Sequence, residues 1–382
     1  MTALPFRPRS DQSQQGRRRM TDMTRRSLVG LGMALPLLGQ IHWANAAPPS
    51  PAADSGPVRI NYNESPWGPS PAACEAMREG IDQCGRYPYE AQYQLIDTFA
   101  AKHGLASDQV QVFCGSKLAL QHAVMAFTGP RSLVVPEPSY EAPAEAASGR
   151  GSQVHRVALT ARHAHDIDAM LAADRAPGLI YLCNPNNPTG TLTPRQDIER
   201  LLARKPTGSV VVVDEAYIHF SDAQSCIDLV RENPELLVLQ TFSKLYGMAG
   251  ARLGLAIGQA PLLKRLEAYD GENVAPAPTL LAGLASLQDR QLVAQRKAAN
   301  AHLREQTVAW LAERGWRCTA SQTNCFMIDM RGPGQPVVER LAREGVLVGR
   351  IWPSWPNWVR VSVGNDQDMQ RFRTAFAKVV AG

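Results

Sequence analysis

The chain has 382 residues, of which 45% are hydrophobic and 20% are charged. Its formal net charge of +5 arises in the first 46 residues, which hold seven Arg and two Asp and leave equal numbers of basic and acidic residues in the rest. The remaining chain is therefore about neutral, which gives no support for nucleic-acid binding, and its length favours two domains with large cores.

The N-terminal segment has the order of an export signal. Arg25 and Arg26 precede an uncharged apolar run that ends at Leu38, and Ala44-Asn45-Ala46 has the small-x-small form of a cleavage site. The twin arginine resembles the address of the twin-arginine (Tat) export machinery. The apolar run is shorter than the roughly 20 residues of a spanning helix, so we expect no stable membrane anchor. The sequence predicts a signal peptide over residues 1–46 and a periplasmic protein; the alternative is a disordered basic tail.

Apolar runs alternate with helical stretches through the centre of the chain. This order predicts an α/β fold whose large domain has a mostly parallel, seven-stranded sheet flanked by helices. The predicted strands are Val110–Cys114, Ser132–Val135, Val154–Val157, Leu179–Leu182, Val210–Val213, Leu236–Gln240 and Leu253–Ile257.

A second, smaller α/β unit is predicted at the C-terminus. It follows an interrupted helical stretch from about Pro278 to Arg314, and has strands near Phe326–Asp329, Leu347–Val348 and Trp358–Val363 and a last helix from Asp366 to Val379. We predict an N-terminal segment over 47–85 that packs with this unit, a large domain over 86–275 and a small domain over 276–382.

Two strand ends carry polar residues in the predicted sheet. Asn184 to Gly190 forms a turn with two Asn-Pro steps directly after one buried strand. Asp214 follows the four valines 210–213, which are typical of a parallel strand buried on both faces. In an open α/β sheet, ligands bind at this carboxyl edge. The alternatives are a turn without a ligand and an Asp214 that caps a helix.

Lys244 lies just after another apolar strand, between hydroxyl residues and an arginine. A lysine that loses its proton in a desolvated site can form a Schiff base with an aldehyde, and Thr241, Ser243 and Arg252 can hold a phosphate beside it. An aldehyde and a phosphate on one small molecule describe pyridoxal 5′-phosphate (PLP). The alternative is a strand end with a surface Lys and Arg.

Together these segments resemble the PLP-dependent aminotransferases of class I/II, and most closely the histidinol-phosphate aminotransferase branch, from about Ile60 to Phe376. The resemblance implies the type I fold of PLP-dependent transferases. It also implies Lys244 as the cofactor-linking residue, Asp214 at the pyridinium nitrogen, Tyr217 and Asn187 at O3′, and phosphate ligands that include Ser243 and Arg252.

Other cofactor contacts follow from the same resemblance. Gly115-Ser116-Lys117 opens a helix after a strand, but the family's acidic pair is replaced by Lys117 and Leu118, so only backbone contacts from Ser116 and Lys117 are expected. Tyr140 matches the tyrosine that stacks on the cofactor ring. Tyr87 matches a tyrosine that reaches the phosphate of the neighbouring subunit, which implies a homodimer.

At the predicted substrate-binding positions, this sequence follows the family pattern less closely. Asn63, Asn324 and Arg360 match substrate positions, and Arg360 corresponds to the arginine that grips the substrate carboxylate. Arg350 falls near a second substrate-binding arginine, but Gly349 shifts the pattern. The tract with Trp352, Trp355 and Trp358 either walls an apolar pocket or is a packed loop.

The reaction implied by the resemblance moves an amino group between an amino acid, or a related amine, and a keto acid through a Schiff base at Lys244. Its partners are therefore a small amino donor and a keto acceptor. Histidinol phosphate is made in the cytoplasm, so export argues against it as the donor, whereas Tat export suits an enzyme that acquires PLP before it leaves. A decarboxylase, racemase or cyclising lyase of the same fold remains an alternative, as does a non-catalytic periplasmic binder of PLP or amino acids.

Cysteine and histidine patterns add no further site. The chain has seven cysteines without a C-x-x-C motif, of which Cys74 and Cys84 are spaced to allow a pair. His163-Ala164-His165-Asp166 is interpreted as an exposed loop before a helix, and no metal is assigned.

Overall fold

The computed structural model describes residues 56–270 and 274–381. The predicted signal peptide, with Arg25 and Arg26, lies outside these described residues. The strands are β1 (Val58–Ile60), β2 (Val110–Phe113), β3 (Leu133–Glu137), β4 (Val154–Ala158), β5 (Leu179–Cys183), β6 (Val210–Asp214), β7 (Leu236–Thr241), β8 (Gly254–Ile257), β9 (Arg317–Cys318), β10 (Cys325–Asp329), β11 (Val346–Val348) and β12 (Trp358–Ser362).

Helices separate most of these strands. They are α1 (Pro71–Ile81), α2 (Tyr89–His103), α3 (Ser116–Phe127), α4 (Ala142–Ser148), α5 (Ile167–Ala172), α6 (Arg195–Arg204), α7 (Ala260–Asp270), α8 (Ala277–Gln288), α9 (Leu292–Ala312), α10 (Gln335–Arg343) and α11 (Asp366–Ala381). Short 3-10 helices cover Ser107–Gln109, Ile218–Phe220 and Cys226–Arg231. Within the residues that the structure describes, no helix combines the length and the apolar character that crossing a membrane requires.

The large sheet has seven strands, as predicted, and their order is β2-β8-β7-β6-β5-β3-β4. The pairs from β4 to β7 are parallel, and β8 is antiparallel to both of its neighbours. Because β5, β6 and β7 run in the same direction, their carboxyl ends meet at one edge of the sheet. Cys183 pairs with Asp214 in this register, so the polar residues that follow these strands are brought together.

The four valines of β6 show why the sheet is covered on both faces. Val211 and Val213 pack in one hydrophobic cluster with α5, α6 and α8, whereas Val210 and Val212 pack in another with α3, α4 and α7. Successive side chains of a strand point to opposite faces, so an unbroken apolar run requires helices on both sides.

The C-terminal unit contains two small sheets. Strands β1 and β11 pair in parallel, and β12-β10-β9 form an antiparallel sheet. Their shared core includes Phe326, Phe372 and Phe376. Strand β9 was not predicted, because two residues are too few to show an alternating pattern.

The helices α1 and α8 pack closely against each other. A Cβ added at Gly80 of α1 would lie 2.6 Å from the Cα of Pro278, so glycine permits the contact. Ala73 of α1 and Leu280 of α8 both lie in the core beside the large sheet, although the sequence analysis assigns them to the N-terminal segment and the small domain. The apolar faces of the two helices are buried there with Leu95 of α2, which explains this placement.

Candidate active site

A cavity of about 380 Å³ lies where the carboxyl ends of β5, β6 and β7 meet the C-terminal unit. It brings together twelve of the fifteen residues that the sequence analysis names as site residues. They are Ser116, Lys117, Tyr140, Asn187, Asp214, Tyr217, Thr241, Ser243, Lys244, Arg252, Arg350 and Arg360.

The amine of Lys244 projects into this cavity from the turn after β7. Its Nζ donates a hydrogen bond to the carbonyl of Tyr62 at 3.1 Å and lies 5.7 Å from the ring centroid of Tyr217. Burial lowers the pKa of Lys244 to about 8, and the charge of Arg360 acts in the same direction. A substantial fraction of the amine is therefore neutral and nucleophilic at mildly alkaline pH.

The carboxylate of Asp214 lies at the end of β6 and is only 4% exposed. It accepts hydrogen bonds from the hydroxyl of Tyr181 at 3.0 Å and from the backbone N–H of Ala216 at 3.1 Å. Burial raises the pKa of Asp214 to about 6, and these hydrogen bonds oppose that rise. The group is thus mainly ionised at neutral pH, and a buried carboxylate of this kind calls for a cationic partner.

An anion-binding corner is formed where Arg252 meets the start of α3. Arg252 has a φ of 61°, and its Nη1 donates to Ser243 Oγ at 3.4 Å and to the Ala249 carbonyl at 3.0 Å. The cap of α3 is Gly115, with a φ of 90°, and an added Cβ there would lie 2.2 Å from Arg252 Nη2. A guanidinium, hydroxyls and a helix N-terminus at one point favour a phosphate group.

Asn187 and Tyr217 are linked to Arg360 through their polar atoms. Arg360 Nη1 donates to Asn187 Oδ1 at 2.8 Å, and Nη2 donates to the Asn61 carbonyl. Asn63 Nδ2 donates to the Tyr217 hydroxyl at 3.1 Å. Asn63 Nδ2 also lies 3.5 Å from Asn187 Oδ1, so Arg360 and the two predicted O3′ partners belong to one hydrogen-bonded group.

Asn63 and Asn324, predicted to bind substrate, lie behind the described lining of the cavity. Asn324 Nδ2 donates to the Asn63 carbonyl at 3.0 Å, and Asn63 is buried with a φ of 53°. In this arrangement both residues support Tyr217 and Asn187 rather than face the cavity.

The tryptophan tract divides into two parts. Trp352 lines the cavity, is 2% exposed, and donates from Nε1 to the Ser139 carbonyl at 3.1 Å. Trp355 and Trp358 instead pack against each other, with ring centroids 5.0 Å apart and ring planes tilted by 36°, and Trp355 also packs against His163 at 4.7 Å. One tryptophan thus walls the cavity, and the other two form a packed loop.

Gly349 allows this tract to approach β12. An added Cβ at Gly349 would lie 2.9 Å from Arg360 Nε and 2.9 Å from the Arg360 carbonyl oxygen. The glycine that shifts the sequence pattern beside Arg350 therefore makes room for the guanidinium of Arg360.

Tyr87 lies outside the described lining of the cavity. Its side chain is 81% exposed, beside Tyr89, and lines a separate surface groove with Arg86 and Leu281. Cys74 and Cys84 are free thiols. Among the described residues, no group of three or more His, Cys, Asp or Glu is placed to hold a metal ion.

Several residues of the cavity were not predicted from the sequence. Tyr181 is the partner of Asp214, and a tyrosine within an otherwise aliphatic buried strand was a usable signal, because its hydroxyl needs a partner. Tyr62 and Glu64 line the cavity from the loop after β1, and Cys183 lines it from the end of β5. The family resemblance placed Asn63 of this loop at the substrate, but it did not single out Tyr62 or Glu64.

The family model of aminotransferase class I and II matches residues 57–376. The chain therefore belongs to the class I and II aminotransferase family. It is a PLP-dependent aminotransferase with the type I fold, as the sequence analysis predicted.

Individual relatives differ in the substrates that their names give. The chain is 35% identical over 324 residues to the histidinol-phosphate aminotransferase of Symbiobacterium thermophilum, which covers 82% of this chain and 88% of the relative. It is 31% identical over 331 residues to the aromatic amino acid aminotransferase of Cutibacterium acnes, with coverages of 85% and 93%. The two names show that family membership alone does not fix the substrate.

A solved structure gives the same fold with the cofactor present. The histidinol-phosphate aminotransferase from Sinorhizobium meliloti, in complex with PLP, matches with a TM-score of 0.79 at 25% identity and covers 85% of this chain and 91% of that one.

The cavity residues of this chain fit PLP. The lowered pKa of Lys244 suits an aldehyde, and the buried carboxylate of Asp214 suits a protonated ring nitrogen. Arg252, Ser243 and the N-terminus of α3 would hold the phosphate, in the corner that Gly115 keeps open.

Proposed function

We propose that this aminotransferase takes its amino group from amino acids whose carboxylate binds Arg360, and that it works as a homodimer in the periplasm. The observation that carries the substrate class is the position of Arg360. Its guanidinium lines the same cavity as Lys244 while its residue is only 7% exposed. A planar, desolvated guanidinium is suited to bind a carboxylate through two parallel hydrogen bonds.

The residues of the chain divide the work of transamination. PLP, when bound, supplies an aldehyde for the amino group and a ring that withdraws electrons from the substrate Cα. Arg360 orients the substrate by its carboxylate. Lys244 Nζ then takes the proton from the substrate Cα and returns it as a general acid, a role that its lowered pKa suits. Asp214 stabilises positive charge at the ring nitrogen.

A panel of amino donors tests this proposal. The purified protein would be mixed with single L-amino acids, and the bound cofactor's absorbance followed for conversion to the amine form. We expect donors with a free carboxylate to convert the cofactor and to release the matching keto acid. Release of carbon dioxide or a racemised product without keto acid would favour another PLP reaction instead.

A phosphorylated amine is the second candidate donor. Arg350 also lines the cavity and provides a second guanidinium beside Trp352, at 4.2 Å from the ring centroid. Histidinol phosphate in the same donor panel separates the two candidates. Faster conversion with it than with any amino acid would assign Arg360 to an anionic group other than a carboxylate.

The homodimer is supported by an exposed aromatic surface. Tyr87, Tyr89, Tyr93 and Ile81 are all exposed around α1 and α2, and large exposed apolar side chains in one region are typical of an interface. A twofold dimer would place Tyr87 of each subunit at the phosphate of the other.

Mixed subunits test that arrangement. A Lys244→Ala subunit and a Tyr87→Phe subunit would give heterodimers with one intact site and one site that lacks both groups. Activity is expected to rise when the two impaired proteins are mixed. An active monomer in sedimentation experiments would reject the homodimer.

Export is supported by the sequence of residues 1–46. Replacing Arg25 and Arg26 with Lys keeps the charge and removes the twin arginine. We expect this precursor to stay in the cytoplasm with PLP bound, while the wild-type protein is cleaved near Ala47. A double Lys variant that still reaches the periplasm would point to the general secretory route.

A further inference from the structure

Two segments that are far apart in the sequence meet at the outer wall of the cavity. Trp352 Nε1 donates to the Ser139 carbonyl at 3.1 Å, and Arg350 Nη2 forms an ion pair with the carboxylate of Glu141. Tyr140 lies between these two contacts in the chain and lines the cavity. Glu141 is therefore the carboxylate partner of Arg350 at this wall of the cavity.

The pairing balances two neighbouring positive charges. The Cζ atoms of Arg350 and Arg360 lie 4.2 and 5.1 Å from the centroid of the Trp352 ring. Burial and the charge of Arg360 lower the pKa of Arg350. A carboxylate beside Arg350 relieves the repulsion between like charges, and Glu141 supplies one.

We propose that Glu141 is a specificity-determining residue that occupies Arg350 and so directs the enzyme toward amino acids with uncharged side chains. The inference rests on the proposed function, in which Arg360 binds the substrate carboxylate. Donors with a second anionic group, either a side-chain carboxylate or a phosphoryl group, are disfavoured because Arg350 is the cation that they would need.

The selection is graded because the ion pair is partly exposed. The side chains of Arg350 and Glu141 are 52% and 32% exposed, and ion pairs in such surroundings are readily exchanged. An anionic side chain that displaces Glu141 would also meet the released carboxylate nearby. A neutral side chain meets neither obstacle and can pack on the faces of Trp352 and Tyr140.

The test measures a ratio rather than total activity. In wild type and Glu141→Gln, single-turnover conversion of the bound cofactor would be measured with L-phenylalanine, L-glutamate and the phosphonate 2-amino-4-phosphonobutanoate. Glu141→Gln should shift the efficiency ratio toward the two anionic donors by about fivefold, the scale of a partly exposed ion pair. The double variant Glu141→Gln/Arg350→Gln should lose that gain.

Glu145→Gln provides a matched control. Glu145 is an exposed carboxylate in α4. Together with Glu141, Tyr140 and Trp352 it lines a second cavity beside the candidate active site. The control should leave the donor ratio unchanged. An unchanged ratio in Glu141→Gln, an equal shift in Glu145→Gln, or a gain that persists in the double variant would overturn the role of Glu141.

Binding of unreactive acids separates this inference from the proposed function. Glutarate has two carboxylates and 3-phenylpropanoate has one, and neither carries an amino group. Glu141→Gln should tighten glutarate binding relative to 3-phenylpropanoate by the same factor, as read by calorimetry on the holoenzyme. If this shift appears while no amino acid converts the cofactor, the proposed donor class fails and the role of Glu141 stands. If donors react but neither ratio moves, the role of Glu141 fails alone.

Discussion

The cavity has two walls that are built in different ways. The strand-end wall contains Asp214, Lys244, Ser243 and Arg252, which lie at or next to the ends of β6, β7 and β8. The register of the sheet therefore sets their positions. The substrate wall, with Tyr62, Arg350, Trp352 and Arg360, comes from separate segments joined by contacts such as Trp352 to Ser139. Substitutions in the first wall should impair every donor alike, and those in the second should change donor choice.

The largest expected effect is in the strand-end wall. Asp214→Asn removes the charge that is proposed to hold the ring nitrogen protonated, and keeps the shape of the side chain. A loss of ~3 kcal/mol of transition-state stabilisation would lower kcat on the order of a hundredfold for every donor. Steady-state kinetics at equal cofactor content would check this. Near-normal turnover would assign Asp214 a structural role only.

Arg360→Lys should weaken binding of the donor at the substrate wall without loss of PLP from the strand-end wall. An ammonium cannot make the two parallel bonds that a guanidinium makes, so KM for carboxylate donors should rise about thirtyfold, or ~2 kcal/mol. PLP content should stay near that of the wild type. Arg343→Lys, at an exposed position in α10, is the control and should leave KM unchanged. Equal KM values in both variants would reject the carboxylate role of Arg360.

Gly115→Ala tests whether the strand-end wall needs a glycine at the start of α3 to bind PLP. The new Cβ would lie 2.2 Å from Arg252 Nη2, so the guanidinium of Arg252 must move out of the anion-binding corner. We expect Kd for PLP to rise about tenfold, or ~1.4 kcal/mol. Gly129→Ala is the matched control, because Gly129 also has a positive φ, of 111°, but no atom within 4 Å of the added Cβ. Equal losses of PLP affinity would mean that backbone strain alone is responsible.

The smallest expected effect comes from the charge of Arg360, in the substrate wall, acting on the pKa of Lys244, in the strand-end wall. Because the pKa of Lys244 is about 8, its neutral fraction rises as pH increases through that value. The rate at which apoprotein takes up PLP should therefore rise with pH and level off above about 8. Arg360→Gln removes a nearby positive charge, which should raise the pKa of Lys244 and move the profile to higher pH. An unmoved profile would show that Arg360 does not act on Lys244.

Local sequence predicted the strand-end wall because each of its residues lies at or within three residues of the end of an apolar strand. Asp214 after four valines and Lys244 after β7 are examples, and parallel strands bring such residues to one edge. The seven strands of the large sheet were predicted because each is an apolar run between helical stretches.

The substrate wall depended on long-range contacts that sequence alone does not show. Arg350 lines the cavity, but its pairing with Glu141 spans 209 positions. The three tryptophans look alike in sequence, yet only Trp352 faces the cavity, because Trp355 and Trp358 pack with His163. Their separate roles depend on how two remote loops meet.

Gly349 has a practical consequence for redesigning the enzyme. Any side chain at this position would press on the Arg360 guanidinium and on the Arg360 carbonyl, which accepts the Gly349 N–H at 2.8 Å. A mutant library aimed at new donors should therefore keep position 349 constant and randomise 141, 350 and 352. Variants chosen from such a library would alter the part of the cavity proposed to contact the substrate side chain, while Arg360, the proposed carboxylate ligand, keeps its position.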